Sequence, residues 1–274
     1  MNNMKVLHNG SGLDKLIKNS PLSAKAPFIR KHSALAVAAC LIFPLNDAIA
    51  NIEGYNFPFS EAYLVFVDNE QDVTSNSSDP NYVSDKENRP LFFWAKNGSF
   101  TLETVALAVY SPSYFQAGGE TTFTPLPTNT VQQGQPASLN LPPIALGQSY
   151  VNEREPNLFI NVIGSRDGDV SFNAKDINAY SGQTDYISFY VDGGNLNNNN
   201  QTQLNVASSF NIIDSNVQAS LVVKNSASFS VGAGTTSNST AQLNFSKEND
   251  RFLIENARDV SFAGNLNFTN KVKN

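Results

Sequence analysis

Val170-Ser171-Phe172 is the stretch on which the fold turns, because it recurs. It returns as Ile187-Ser188-Phe189, Ser208-Ser209-Phe210, Ala227-Ser228-Phe229, Leu243-Asn244-Phe245 and Val260-Ser261-Phe262. The intervals between successive phenylalanines are similar, the longest running from Phe189 to Phe210. In an extended strand alternate side chains share a face, so each phrase points its first and third residues one way and its Ser or Asn the other. A short strand returning at a near-constant interval implies a coil of similar turns, with the Phe of each turn stacking on the last.

Leu204, Leu221, Leu243 and Leu266 each open a Leu-x-Val or Leu-x-Phe triplet and give a second register of similar period. Two interleaved registers predict an all-β chain whose C-terminal half, 151–274, is a right-handed parallel β-helix. Its rung would be roughly 20 residues, stacked at about 4.8 Å. The alternative is an antiparallel β-sandwich with strands every 8–12 residues or so. Gly, Asn, Asp and Ser separate the phrases, as in Gly164-Ser-Arg-Asp-Gly-Asp169 and Gly232-Ala-Gly234. Asn195, Asn197, Asn198, Asn199 and Asn200 fall in the longest interval, and form the candidate exposed binding loop.

Upstream, Ala62–Val67 and Pro90–Ala95 read as strands, and Lys96-Asn97-Gly98 reads as a hairpin turn leading into a partner strand, Ser99–Tyr110. Trp94, the single Trp, reads as a core anchor. These elements make 51–110 a β-rich cap for the solenoid end, which otherwise presents open sheet edge. The stretch 111–150 carries six prolines and Gly118-Gly119, and reads as an extended surface connection, since proline cannot donate to a central ladder.

The leader, 1–50, differs in kind. It holds six of the 18 basic residues and two of the 24 acidic ones, leaving 12 basic and 22 acidic in the remainder, a formal −10. A basic stretch with Lys5, Lys15, Lys18, Lys25, Arg30 and Lys31 precedes the apolar run Ser33–Leu45 and then Asn46-Asp47-Ala48-Ile49-Ala50. Small residues at −3 and −1 predict a secretory signal cleaved between Ala50 and Asn51. Competing readings are a buried helix and, from Val37-Ala38-Ala39-Cys40, a lipoprotein signal. Both histidines (His8, His32) and the one cysteine (Cys40) lie in this leader. A chain beginning at Asn51 therefore has no Ser-His-Asp or Cys-His catalysis, no Cys/His zinc site and no disulfide. Its acidity argues against a nucleic-acid partner.

Asp167-Gly168-Asp169 and Asp192-Gly193-Gly194-Asn195 lack the oxygen set and repeat of calcium loops and read as β-turns. Glu153/Glu155 and Asp185/Asp192 are the carboxylate pairs that a glycosidase on this scaffold would draw on. No cofactor or metal is expected. The ladder, the cysteine-free mature chain and the long leader resemble the passenger region of bacterial autotransporter (type V) proteins. Asp169–Ile177 and Asp259–Phe268 are most similar to the vacuolating-cytotoxin-like branch. The resemblance implies export through the inner membrane and a cell-surface or extracellular, non-enzymatic adhesin engaging a host surface protein or glycan. It also implies an outer-membrane β-barrel translocator, which this chain lacks, as an N-terminal fragment would. The alternatives are a carbohydrate-active β-helix enzyme and a toxin component.

Overall fold

The computed structural model describes residues 40–44, 51–52, 55–56, 63–68, 70–76, 90–119, 136–147, 157–179, 184–194, 199–212, 216–232, 242–246 and 250–269. Among these the secondary structure is entirely β. In chain order the strands are β1 (Cys40–Pro44), β2 (Asn51–Ile52), β3 (Tyr55–Asn56), β4 (Tyr63–Val67), β5 (Gln71–Asn76), β6 (Leu91–Ala95) and β7 (Gly98–Glu103). Next come β8 (Leu107–Val109), β9 (Ser113–Gly118), β10 (Ala137–Leu141), β11 (Ile144–Leu146), β12 (Leu158–Ile163), β13 (Val170–Ala179) and β14 (Thr184–Asp192). The last are β15 (Thr202–Ile212), β16 (Asn216–Lys224), β17 (Ser228–Val231), β18 (Gln242–Phe245), β19 (Phe252–Glu255), β20 (Asp259–Phe262) and β21 (Asn265–Phe268).

Two parallel sheets are wound by one coiling path. Sheet I runs β1-β4-β6-β9-β12-β14-β16-β18-β21, with β19 also on β16. Sheet II runs β20-β17-β15-β13-β10-β7-β5, with β8 and β11 beside it. The chain alternates between them, so each neighbour in a sheet is one coil away. This is a parallel β-solenoid, and the antiparallel sandwich is excluded. β13 is long enough to cover two short strands: it pairs β10 through Val170–Ala174 and β11 through Ile177–Ala179. A bulge between Ala174 and Asp176 bends it around the corner.

Three expectations change. First, the rung is longer than the interval between phrases. Ala137, Val170 and Thr202 are register partners on successive coils, so those rungs take roughly 33 residues, within the range of solenoid repeats, while others run from 22 (Phe93 to Phe115) to 45 (Phe115 to Ile160). Most successive Ser-Phe phrases therefore fall in different sheets of the coil and not on successive rungs; the exception is Phe210 and Phe229, in the neighbouring strands β15 and β17 of sheet II. Phe172 belongs to sheet II and Phe189 to sheet I. Second, the solenoid is not confined to the C-terminal half, because β4 to β11 lie in the same two sheets. The stretch 111–150 supplies β9, β10 and β11, and its described prolines sit just outside strands: Pro112 and Pro136 precede β9 and β10, and Pro142 and Pro143 separate β10 from β11. There a missing N–H costs no ladder bond. Third, Lys96-Asn97-Gly98 is a corner, not a hairpin: β6 and β7 belong to different sheets. Gly98 has φ 108°, which a corner requires as much as a hairpin does.

The lumen is filled by two columns of register-matched side chains. In sheet II the column runs Val73, Phe100, Leu139, Phe172, Leu204, Phe229, Val260. In sheet I it runs Val65, Phe93, Phe115, Ile160, Phe189, Leu221, Phe252. In sheet I the expected stacking holds in part, with Phe93 on Phe115 at 5.0 Å and 16° and Phe245 on Phe268 at 4.9 Å and 14°. In sheet II phenylalanine and aliphatic residues alternate, so there the rings reach across the lumen instead of stacking as one file. Phe93 meets Phe100 at 5.6 Å and 66°, and Phe189 meets Phe229 at 5.2 Å and 68°. Such tilted pairs suit the ring quadrupoles.

The outer faces differ. Sheet I is buried on both faces over β6 and β9, whose residues are all buried. That explains why Leu91-Phe92-Phe93-Trp94-Ala95 shows no alternation. Trp94 is 1% exposed and its Nε1 donates to Gly118 O at 2.9 Å, so it is an anchor as expected, on the outer side of sheet I. Sheet II alternates buried and half-buried along β10 and β17, and shows a polar face to water. The column architecture predicts that Phe172→Ala lowers stability by about 3–5 kcal/mol and Leu139→Phe by about 1–3 kcal/mol through overpacking. Urea denaturation followed by circular dichroism measures both.

Candidate functional site: the turn edge and the outer face of sheet II

Turns from sheet I to sheet II line one edge of the solenoid. Every described residue with positive φ lies there: Glu70, Gly98, Gly118, Gly119, Gly194, Asn225, Ser226 and Asn256. The corners stack, as the strands do. Gly164 N donates to Asp192 O, Gly193 N to Lys224 O and Asn225 N to Glu255 O. This closeness excludes side chains: a Cβ on Gly193 would strike Asn225 O, and one on Gly118 would strike Ile163 O.

Asp192 ends β14 at this edge and is 3% exposed. A carboxylate so placed must be fully satisfied. Its Oδ1 accepts from Gly194 N at 2.9 Å and from Asn225 Nδ2 at 2.8 Å. Its Oδ2 accepts from Tyr190 OH at 3.1 Å and faces Lys224 Nζ at 3.1 Å. Lys224 also lies 5.5 Å from the Tyr190 ring centroid. The bond to Gly194 N is a local Asx turn, in line with the turn reading of 192–195. The bonds to Lys224 and Asn225 join two adjacent rungs. Asp192 is thus a clamp.

Burial pushes the Tyr190 hydroxyl above the ordinary tyrosine value, and the charge of Asp192 adds to this. For Lys224 burial works downwards, but its bonds to Tyr190 and Asp192 outweigh it and raise the ammonium above the ordinary lysine value.

The sequence-derived candidates fall as follows. Ala50, Asn195, Asn197 and Asn198 lie outside the described residues, as do Glu153 and Glu155. Asn51 opens β2, which pairs antiparallel with β3. Asn199 is exposed, and Asn200 Nδ2 donates to Arg166 O at 2.9 Å. The root of the asparagine loop is therefore tied to the turn of the preceding rung. Asp169 Oδ1 accepts from Gln201 N at 2.7 Å, again rung to rung. Asp185 and Asp192 stand near opposite ends of β14, roughly 23 Å apart along an extended strand, far beyond glycosidase spacing. Among the described residues no three His, Cys, Asp or Glu side chains converge as metal ligands would. Cys40–Pro44, from the apolar run of the leader, pairs antiparallel with β4 at the N-terminal end of sheet I.

The feature that the sequence reading missed is the outer face of sheet II. Two columns run its length. One is Asp72, Ser99, Ser138, Ser171, Gln203, Ser228, Asp259. The other is Thr74, Thr101, Asn140, Asn173, Asn205, Ser230, Ser261. Adjacent members hydrogen-bond along the axis. Asn173 Nδ2 donates to Asn140 Oδ1 at 3.0 Å and Asn140 Nδ2 to Thr101 Oγ1 at 3.2 Å, while Ser138 and Ser171 share a bond at 3.1 Å. The rungs repeat at about 4.8 Å and the columns lie about 6.6 Å apart, one pleat repeat along the strand. Only the two ends of the columns carry charge, and both are acidic. The signal was present in the repeated Ser of the phrases, but only the register shows that these residues align.

No family model matches the chain, and comparison with characterised proteins and with solved structures gives no match.

The clamp predicts two outcomes. Asp192→Ala leaves Tyr190 OH, Gly194 N and Asn225 Nδ2 without their acceptor and lowers stability by about 2–4 kcal/mol. Raised folded-state values for Tyr190 and Lys224 mean that the native state holds their protons longer than the unfolded chain. The cluster's contribution is complete below about pH 10 and falls as pH rises through the raised values. Urea midpoints measured across this range should therefore drop less steeply in Tyr190→Phe than in the parent, because that change removes one titrating group and one of the bonds that raise the other.

Proposed function

We propose that this chain is a non-enzymatic, exported β-solenoid that adheres to a host surface, and that its ligand is a neutral glycan held along the outer face of sheet II. The observation that carries this reading is the pair of seven-member columns, uncharged except for Asp72 and Asp259 at the two ends of the first. An extended surface of hydrogen-bonding side chains suits a linear polyhydroxylated chain. The lack of positive charge in the two columns, with the acidity of the chain beyond residue 50, disfavours sulfated or sialylated glycans.

The asparagine loop is a second contact at the adjoining edge, rooted by Asn200. The export leader and the passenger-like repeat style support a cell-surface or extracellular location, with an outer-membrane translocator as partner. The spacing of Asp185 and Asp192 weighs against the glycosidase alternative.

The test is expression with the full leader, intact-mass measurement of the exported product, and binding to immobilised neutral and anionic glycans. The expected product begins at Asn51 and binds neutral glycans without hydrolysing them. Ser171→Arg with Gln203→Arg weakens binding at least about tenfold, which is about 1.4 kcal/mol, with the β signal in circular dichroism retained. Deleting 195–200 weakens it less. Unchanged binding in the arginine variant, or release of reducing sugar, contradicts the reading.

A further inference from the structure

The polar surface of sheet II has a width and a direction. Each rung offers two outward polar positions and then turns a corner. β10 shows Ser138 and Asn140 and is followed by Pro142-Pro143. β17 shows Ser228 and Ser230 and is followed by Gly232, and β13 shows Ser171 and Asn173 before its bulge. Across the strands the surface is thus a narrow lane. A sugar chain laid that way leaves it after about one unit, since the two positions span about 6.6 Å. A sugar chain laid along the axis meets a new pair of side chains at every rung, from Asp72 and Thr74 to Asp259 and Ser261.

The lane is also straight. Its members pair without a shift from strand to strand, and the register shift of β13 falls between Ala174 and Asp176, past the lane. The side chains are held in place as well. Bonds from Asn173 to Asn140, from Asn140 to Thr101 and between Ser138 and Ser171 run along the axis. Side chains so fixed have little rotamer freedom to lose on binding. No aromatic ring stands in either column, so the lane reads hydroxyls and not the apolar face of a sugar.

These features select among neutral glycans by shape. An α-1,4-linked chain coils, and carries any one edge away from a straight surface within a few sugars. A β-1,4-linked chain is an extended ribbon with hydroxyls along both edges, and every second sugar brings the same groups back to one side. Of the two, the ribbon keeps contact with a straight lane of fixed donors and acceptors. The geometry points to a β-1,4-linked neutral glycan lying edge-on to sheet II and parallel to the solenoid axis. This rests on the glycan reading above, and adds linkage and direction to it.

Calorimetric titration of the exported protein with uncharged hexasaccharides tests it. The β-1,4-linked hexamers of glucose, mannose and N-acetylglucosamine are set against the α-1,4-linked hexamer of glucose. At least one β-1,4 hexamer should bind at least about tenfold more tightly than the α-1,4 hexamer, and than its own disaccharide. Ser171→Arg, within the lane, should weaken that hexamer at least about tenfold. Lys175→Ala, exposed at the bulge of the same strand, should leave it unchanged. An α-1,4 hexamer as tight as the best β-1,4 hexamer, or neutral-glycan binding confined to other linkages, overturns the linkage and leaves the neutral-glycan reading standing. A disaccharide as tight as its hexamer, or equal losses in Ser171→Arg and Lys175→Ala, overturns the axial placement. Failure of every neutral glycan to bind overturns the glycan reading, and this one with it.

Discussion

Parallel strands about 4.8 Å apart place like positions directly over one another. Everything else in this molecule answers to that constraint. A lumen closed by two sheets fills to crystal-like density only if large and small side chains are distributed along its columns so that no gap is left. The chain meets this with Phe100, Leu139, Phe172, Leu204 and Phe229 in one column and Phe93, Phe115, Ile160, Phe189 and Leu221 in the other. Rings meet across the lumen at 66° and 68° in Phe93–Phe100 and Phe189–Phe229, and nearly parallel, at 16°, in Phe115–Phe172. The same alignment acts outside, where Ser, Thr and Asn fall into columns and bond along the axis. One constraint thus produces both the core and the surface on which the proposed function rests.

Stacking also governs the corners. Because strands align, turns align, and close approach at the turn edge excludes side chains at Gly118 and Gly193. Asp192 exploits that closeness. It satisfies Gly194 in its own turn and Lys224 and Asn225 in the next, so a local turn and a long-range contact share one carboxylate. Variation is confined to where it costs least: the strands hold register while the segments between them change length. Gly98, Ala137, Val170 and Thr202 are register partners in turn, yet the step from Gly98 to Ala137 takes more chain than either step that follows.

Much of this was legible in the sequence, and the remainder was hidden for identifiable reasons. Each Ser-Phe phrase correctly marks a strand with one face inward, because alternation is local. The sheet to which a strand belongs is not local; it depends on the turn between strands. The near-constant intervals between phrases therefore looked like rungs when most of them lead from one sheet to the other. Gly98 serves a corner and a hairpin equally well, so turn chemistry alone could not tell them apart. The prolines of 111–150 suggested a connection, yet those described fall at strand boundaries, where their missing N–H is harmless. Asp192 looked like an ordinary turn residue, since its partners Lys224 and Asn225 lie a full rung further along the chain. The polar columns needed the register before Ser99, Ser138 and Ser171 could be seen as one surface.

The central claim is that successive rungs stack in register along one axis. Pulsed electron paramagnetic resonance between spin labels on the first polar column tests it most directly. From Asp72, labels at Ser171, Gln203, Ser228 and Asp259 lie three, four, five and six rungs away. The distances should rise in even steps of about 4.8 Å, from roughly 14 Å to roughly 29 Å. Distances that fail to grow in rung order, with Asp259 returning closer to Asp72 than Gln203 does, would contradict the stacked solenoid.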